Sequence, residues 1–459
     1  MGKYFGTDGI RGKIGEPIGN MEFDALLAYA TGRAAATALI TGRPGGNRAK
    51  KPRVMIAKDT RISGDMLVSA MAAGLTSAGA DVIILGVLPT PAVAYLTKKS
   101  GADIGAVISA SHNPYEYNGI KLFGKDGLKL SDSIEERIEH LIDNDKEIVK
   151  PGIADMGRVR GNHGRWVAEY VDYVASKSES RFRGKIAVDC SNGATYETAR
   201  SLFMQLGVDF DIFHDTPNGV NINQNCGSTH INELQRIMIS GGFDIGISFD
   251  GDADRCILVD ERGKVIDGDI ILAVCAREMK ATGKLRGNAV IGTIVSNSGM
   301  DVYAKKHGFD FHRADVGDRN VLEMMMITGA NLGGESSGHM IFIDDATTGD
   351  GQLTAIKFLN IMAATGKSAS ELAAGFPYFP QVMPSFRVTG GAEQKESIMA
   401  NPKLRKEVER TEKQLDGKGR ILVRPSGTEA LIRVLVEAET KELASEKANH
   451  LIKFIETLC

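Results

Sequence analysis

The sequence predicts an α/β protein: three similar mixed α/β domains followed by a smaller α+β carboxyl-terminal domain, arranged around a central active-site cleft. Three observations lead there. A chain of 459 residues is too long for one hydrophobic core and should divide into several domains. Short apolar, β-branched runs recur between helix-like stretches, the rhythm of a mainly parallel sheet with crossover helices. A proline-rich stretch, GFPYFPQVMP at 375–384, then sets the last segment apart as though by a linker.

The elements follow in order. The first domain, 1–158, opens with a helix candidate rich in alanine and leucine, Met21 to Ile40, followed by TGRPGGNRAKKP, a basic glycine-containing loop read as solvated. RVMIAKD (Arg53 to Asp59), ADVIILG (Ala80 to Gly86) and DIGAVIS (Asp103 to Ser109) read as its strands. A charged segment ending near Arg158 leads into the second domain, 159–260, with strand-then-loop units at GKIAVDCSNG and FDIGISF. The third, 261–375, carries the helix candidate DGDIILAVCA and the strand and loop NAVIGTIVSNSG. In the fourth, 376–459, the strands RILV and LIRVLVEA precede a closing helix candidate, Thr440 to Leu458. The similar plan of the first three units suggests internal repetition.

Four loops carry chemistry. ISASHNPYEYNGIK (Ile108 to Lys121) places Ser111 beside His112, Asn113 and Pro114 at the carboxyl end of an apolar strand, where α/β sheets bind ligands. Pro114 and Gly119 restrict the backbone and are expected to hold the hydroxyl outward, with Lys121 as a proton acceptor or a positive charge. DGDADR sets carboxylates at Asp250, Asp252 and Asp254, whose mutual repulsion calls for a hard cation with oxygen ligands, Mg²⁺ or Ca²⁺. An EF-hand shares the D-x-D-x-D start and an acid at its twelfth position, Glu261. Arg255 however stands where that loop requires glycine, and the flanks read as strands rather than helices.

GGESSGH (Gly333 to His339) presents Glu335, Ser336, Ser337 and His339, groups suited to a polyhydroxyl ligand. VRPSGTEALIR gathers Arg424, Ser426, Gly427 and Thr428 in a compact turn, a guanidinium with hydroxyls and backbone N–H groups that suits a phosphate dianion. Taken singly, the serine loop and GGESSGH also read as ordinary turns and VRPSGTEALIR as a plain hairpin turn, whereas DGDADR already reads as a metal loop between strands. Their combination is what points to phosphoryl transfer.

In this combination and order the chain resembles the α-D-phosphohexomutase superfamily over its whole length, and FGTDGIRG (Phe5 to Gly12) with RPSGTEALIRV looks most like its bacterial amino-sugar branch. The resemblance implies that Ser111 carries a phosphate in the active enzyme, and that Asp250, Asp252 and Asp254 hold Mg²⁺ together with a Ser111 phosphate oxygen. It makes Lys121 and His339 the proton-transfer groups, adds His112 to the catalytic set, and turns Arg11 and Arg255 toward the transferring phosphoryl group. Glu335 and Ser337 would hold sugar hydroxyls, while Arg424, Ser426, Gly427, Thr428 and Arg433 grip the substrate's other phosphate. Ser336 and Ala430 depart from the pattern common in that branch, which touches sugar preference more than reaction type.

The implied reaction interconverts the 6- and 1-phosphates of a hexosamine on the route to UDP-N-acetylglucosamine, with a catalytic hexose 1,6-bisphosphate as activator. A phosphomannomutase or phosphoglucomutase is the alternative, because specificity turns on a few polar contacts. A serine-dependent sugar phosphatase would have little use for a separate phosphate cradle, and a sugar-phosphate sensor would leave Ser111 and the three aspartates unexplained.

Composition excludes other classes. Fifty-five basic and 58 acidic side chains give a formal charge of −3, so no global basic field attracts nucleic acid. No apolar run reaches the roughly 18 residues of a membrane span, and the amino terminus lacks a signal-peptide core, so a cytoplasmic enzyme is expected. The five cysteines show no CxxC pair and read as reduced packing residues rather than a disulfide framework or zinc site. A homodimer is compatible with these features.

Overall fold

The structure, a computed structural model, describes residues 2–6, 8–42, 51–416, 418–426 and 430–459. Most of the basic loop at 41–52, and both Gly427 and Thr428, lie outside the described residues. The chain divides into two compact units, Met1–Ile291 with Gly317–Ala374, and Gly292–Val316 with Gly375–Cys459. The second begins where the proline-rich linker was read, but it also takes in residues from within the expected third domain.

In the first unit one plan recurs. The first sheet runs in the order Ile10–Lys13, Tyr117–Gly124, Ile104–Ile108, Arg53–Lys58, Asp81–Val87, Val159–Gly161. Its centre is parallel, and Ile104–Ile108 turns back antiparallel onto Tyr117–Gly124. Val159–Gly161, expected at the start of the second domain, instead extends the edge of this sheet beside Asp81–Val87. In the second sheet Lys185–Asp189 lies parallel to Ile245–Phe249, which turns back antiparallel onto Cys256–Asp260. The plan appears a third time where Ala289–Thr293 meets Leu332–Gly334 in parallel at Ile291 and Gly333, and Leu332–Gly334 returns as Met340–Phe342. Each of these hairpins carries one candidate loop at its tip.

The central strands lie inside the fold: all five residues of Ile104–Ile108 and of Ile245–Phe249 are buried, as in sheets covered on both faces. The early helix is shorter than expected, Ala25–Thr41, with Met21–Glu22 forming a two-residue strand before it. Asp24 decides that boundary by accepting hydrogen bonds from Leu26 N (2.7 Å) and Leu27 N (3.2 Å).

The second unit is α+β. Arg420–Pro425 and Leu431–Glu437 form an antiparallel hairpin, and Lys441–Glu456 packs Ala444, Ala448, Leu451 and Ile455 onto the same core as Ile432, Val434 and Val436. That helical stripe repeats at three- and four-residue steps, and each fully buried leucine or isoleucine contributes about 1.5–3 kcal/mol. The carboxylate of the buried Glu437 accepts from Ser298 N (3.1 Å) and Arg420 Nε (2.8 Å), which ties residues 292–316 into this unit. Among the described residues no helix is long and apolar enough to cross a membrane.

Candidate active site

Ser111 stands at the tip of the first hairpin in the left-handed region, φ +52. Its hydroxyl does not point outward as expected. The residue is 2 % exposed, and Oγ donates to Asp250 Oδ2 at 2.6 Å. Ser111 N donates to Ser109 Oγ (2.9 Å), which in turn donates to Asp59 Oδ2 (2.6 Å), so the loop is built inward from a buried carboxylate. Gly251, between two acids of the second hairpin, permits this approach: a Cβ there would lie 2.6 Å from Ser111 O and 2.9 Å from Asn223 Nδ2.

The three aspartates sit at the tip of the second hairpin, all buried, with ligand oxygens within 4.8 Å of one another. Strands flank them, as the sequence required for rejecting an EF-hand. Thr90 Oγ1 donates to Asp252 Oδ2 (2.6 Å) and Arg255 N to Asp250 Oδ1 (3.1 Å). Asp252 Oδ1 and Asp254 Oδ1 are buried and accept no hydrogen bond. Buried anionic oxygens without donors are the arrangement a hard cation satisfies, so these residues fit Mg²⁺.

Electrostatics reinforces the point. Burial, followed by the charges of Asp254 and Asp252, pushes the Asp250 carboxyl well above its ordinary range. Asp254 moves the other way: burial would raise it, but Lys121, His339 and Arg255 outweigh burial and hold it ionised. Lys121 Nζ lies 2.9 Å from Asp252, 3.1 Å from Asp8 and 3.5 Å from Asp254, and these anions overcome burial to raise its pKa. This arrangement keeps Lys121 protonated.

In its neutral form His339, at the base of the third hairpin's returning strand, accepts a hydrogen bond from Gly349 N at Nε2 (3.0 Å), which places the proton of that form on Nδ1, 3.7 Å from Asp254 Oδ1. Burial lowers its pKa, but Asp254, then Asp318 and Glu335, hold it up at about 8. His112 behaves oppositely. Burial, helped by the charges of Arg255 and Arg11, pushes it down to about 4, a neutral ring 3.3 Å from Ser111 Oγ. Arg11 pairs with Asp8, and the Nε groups of Arg11 and Arg255 are buried without hydrogen bonds, donors suited to an oxyanion. Glu335 accepts from Gly317 N (3.0 Å), and Ser337 Oγ is 3.5 Å from Glu335 Oε2.

The first unit thus brings together Ser111, His112, Lys121, Asp250, Asp252, Asp254, Arg11, Arg255 and His339 through the contacts above. In the second unit Arg424 and Arg433 face each other in register across the hairpin, and Ser426 is buried with its N–H donating to Leu431 O (2.8 Å).

Sequence reasoning missed Asp8, which gathers Arg11, Lys121 and Lys129 around one carboxylate. It stood inside the quoted FGTDGIRG, so a signal existed. Thr90, Asp318 and Gly349 gave none. Gly349 is needed because a Cβ would lie 2.6 Å from the His339 ring.

A fold of three repeated α/β units and an α+β unit, carrying a buried serine against a carboxylate cluster, defines a phosphoryl-transfer enzyme built on the phosphohexomutase plan. Family comparisons agree, matching phosphoglucomutase/phosphomannomutase α/β/α domain I at residues 2–149, domain II at 168–263, domain III at 267–379 and the C-terminal domain at 386–453. The chain belongs to this phosphoglucomutase/phosphomannomutase family, and within it to the phosphoglucosamine mutase branch. It is 47 % identical over 457 residues to a phosphoglucosamine mutase of Caldanaerobacter subterraneus subsp. tengcongensis, covering 99 % of both chains. It is 45 % identical over 458 residues to that of Acetivibrio thermocellus, again covering 99 % of each. Among solved structures, a phosphoglucomutase/phosphomannomutase family protein from Burkholderia thailandensis superposes with a TM-score of 0.80 at 25 % identity, covering 99 % of this chain and 98 % of that one. Aspergillus fumigatus N-acetylphosphoglucosamine mutase, solved with GlcNAc-6P and magnesium, shares the fold at a TM-score of 0.69 and 18 % identity, over 99 % and 96 % of the two chains.

Proposed function

We propose that this protein interconverts glucosamine 6-phosphate and glucosamine 1-phosphate through a phosphoserine at Ser111 and a bisphosphorylated sugar. The observation that carries the reading is Ser111 Oγ at 2.6 Å from Asp250, in a cluster whose Asp252 and Asp254 each keep one buried oxygen without a donor. A serine in that position can give up a phosphoryl group and take one back. Its P–Oγ bond breaks as a bond forms to a sugar hydroxyl, whose proton leaves to a base; the bisphosphate then returns its other phosphoryl group to Oγ.

The residues divide the work. Asp250, Asp252 and Asp254 would hold Mg²⁺, which when bound neutralises charge on the transferring group and on the carboxylates themselves. Arg11 and Arg255 offer buried donors to the phosphoryl oxygens. Lys121 and His339 are the proton-transfer groups: the anions that now keep Lys121 protonated are those the cation would claim, and the His339 proton on Nδ1 faces the same cluster. His112, neutral beside Oγ, avoids a second positive charge there. Glu335 and Ser337 would take the sugar hydroxyls, and Arg424, Ser426, Gly427, Thr428 and Arg433 the phosphate that is not reacting. Both phosphates are dianions, so a single cradle can serve either orientation of the intermediate.

The test is turnover of glucosamine 6-phosphate, mannose 6-phosphate and glucose 6-phosphate side by side, with Mg²⁺ and a catalytic amount of hexose 1,6-bisphosphate. A clear kcat/KM preference for the amino sugar is expected. Preference for a neutral sugar would keep the mechanism and replace the substrate, and hydrolysis without isomerisation would overturn both.

A further inference from the structure

Two side chains from distant parts of the first unit meet on the same pair of carbonyls in the serine loop. Arg61 Nη2 donates to Ser111 O at 3.0 Å and to Asn113 O at 2.8 Å. Asn223 Nδ2 donates to those same two oxygens, at 2.9 Å and 3.1 Å. Arg61 is fully buried and reaches further, to Pro114 O and to Tyr117 O (3.0 Å), while its Nε donates to the equally buried Asp59 (2.8 Å). Asn223 arrives from the second sheet's loops, itself at φ +57, with its N–H donating to Ser191 O at 2.9 Å. The orientation of its amide is fixed, because the opposite flip would set Oδ1 against two carbonyl oxygens.

Such a clamp has a use that local packing does not explain. Ser111 adopts φ +52, a conformation unusual for a residue bearing a Cβ, so something must hold it there. During a relay the phosphate resides on the sugar for part of each cycle, and every contact made through that phosphate is then lost to the serine. The hydroxyl alone keeps its bond to Asp250. Arg61 and Asn223 grip backbone oxygens, so their hold does not depend on whether Oγ is phosphorylated.

We propose that Arg61 and Asn223 act jointly as positioning residues that keep Ser111 in place while its hydroxyl is free, so that the bisphosphate intermediate is recaptured before it escapes. This deepens the mutase reading and rests on it. Loosening the clamp lengthens the wait for the second transfer, and the intermediate leaves. The enzyme then becomes dependent on bisphosphate supplied from outside.

The test compares wild type with Asn223→Ala and Arg61→Lys, measuring kcat, KM for glucosamine 6-phosphate, released hexosamine bisphosphate per turnover, the activator concentration giving half-maximal rate, phosphate on Ser111 by intact mass, and melting temperature. For Asn223→Ala we expect Ser111 still to acquire phosphate, KM for the monophosphate to stay put, kcat to fall about tenfold and the activator requirement to rise about tenfold. Arg61→Lys keeps the charge opposite Asp59 but loses the fork, so it should release more intermediate still. If Arg61→Lys does not fold, Asn223→Ala decides alone. A fall in kcat that tracks melting temperature, with no extra release of intermediate, would overturn the clamp. Absence of mutase turnover in the wild type would instead overturn the functional reading beneath it.

Discussion

The serine hairpin, Ile104–Ile108 with Tyr117–Gly124, and the acidic hairpin, Ile245–Phe249 with Cys256–Asp260, occupy corresponding places in their two sheets, yet the side chains that meet their tips do so in different ways. The serine loop is fixed through its backbone, its carbonyls bonded by Arg61 and Asn223. The acidic loop also has backbone bonds, from Ala194 N to Gly251 O (2.8 Å) and from Thr90 N to Asp252 O (2.9 Å), but the side chains that meet it act on its charge: three buried acids face Lys121, Arg255 and His339. Backbone hydrogen bonds set a direction, which in-line transfer needs of its nucleophile. Balanced charges leave a site ready to exchange one cation for another, as metal binding needs. The two loops should therefore fail differently when disturbed.

The largest effect is expected at the serine itself. Ser111→Ala should lower turnover on the order of 10⁴-fold or more while the protein still melts cooperatively near the wild-type temperature, because the loop's backbone bonds remain. Sustained mutase activity in that variant would remove the relay. In the metal loop, Asp252→Asn should cost roughly 10²–10³-fold in kcat and shift the Mg²⁺ titration to higher concentration, since a neutral amide no longer opposes the cation. An unchanged Mg²⁺ dependence would show that the triad is not the site.

A control outside both loops is Arg424→Lys, expected to raise KM about tenfold with little change in melting temperature, because a point charge cannot replace a guanidinium fork. Unaltered kinetics would dismiss the cradle.

The smallest effect lies beneath the metal loop. Asp350 caps the helix Gly351–Thr365, accepting from Leu353 N (2.9 Å) and from the Tyr170 hydroxyl (3.0 Å), and Gly351 N donates to Ala253 O (2.9 Å). Burial pushes the Asp350 carboxyl up to about 6, against those hydrogen bonds. A carboxyl raised in the fold contributes stability that is fully present below its unfolded pKa and is lost as pH rises through the folded value. Between pH 5 and 8 the wild type should lose about 1–1.5 kcal/mol from this group, a loss that Asp350→Asn should escape. Denaturant melts of the two proteins at both pH values, run without metal, decide it; parallel losses would discard the assignment.

Much of this site was legible because its chemistry is local. DGDADR shows three acids with no room for three separate partners, and the flanking FDIGISF and CILVD show strands, so an acidic hairpin suited to a cation follows from adjacent residues. The early helix misread was local too: Asp24 looked like part of the pattern rather than its cap. Lys121 shows the limit. Its sequence neighbours allow base or cation, and the anions that keep it protonated, Asp8, Asp252 and Asp254, lie far along the chain. Arg61 could not be found at all, since nothing in KDTRISG says that the guanidinium turns inward onto another loop.

By itself the sequence determined the repeated strand-and-loop plan and the ligand chemistry that each of the four candidate loops can offer, because periodicity, turn preference and side-chain type act over a few residues. The tertiary structure decided which charges face one another, that Ser111 points into the carboxylate cluster rather than outward, and which side chains hold it there. Those outcomes depend on hydrogen bonds and Coulomb forces between groups that only folding brings within a few ångströms.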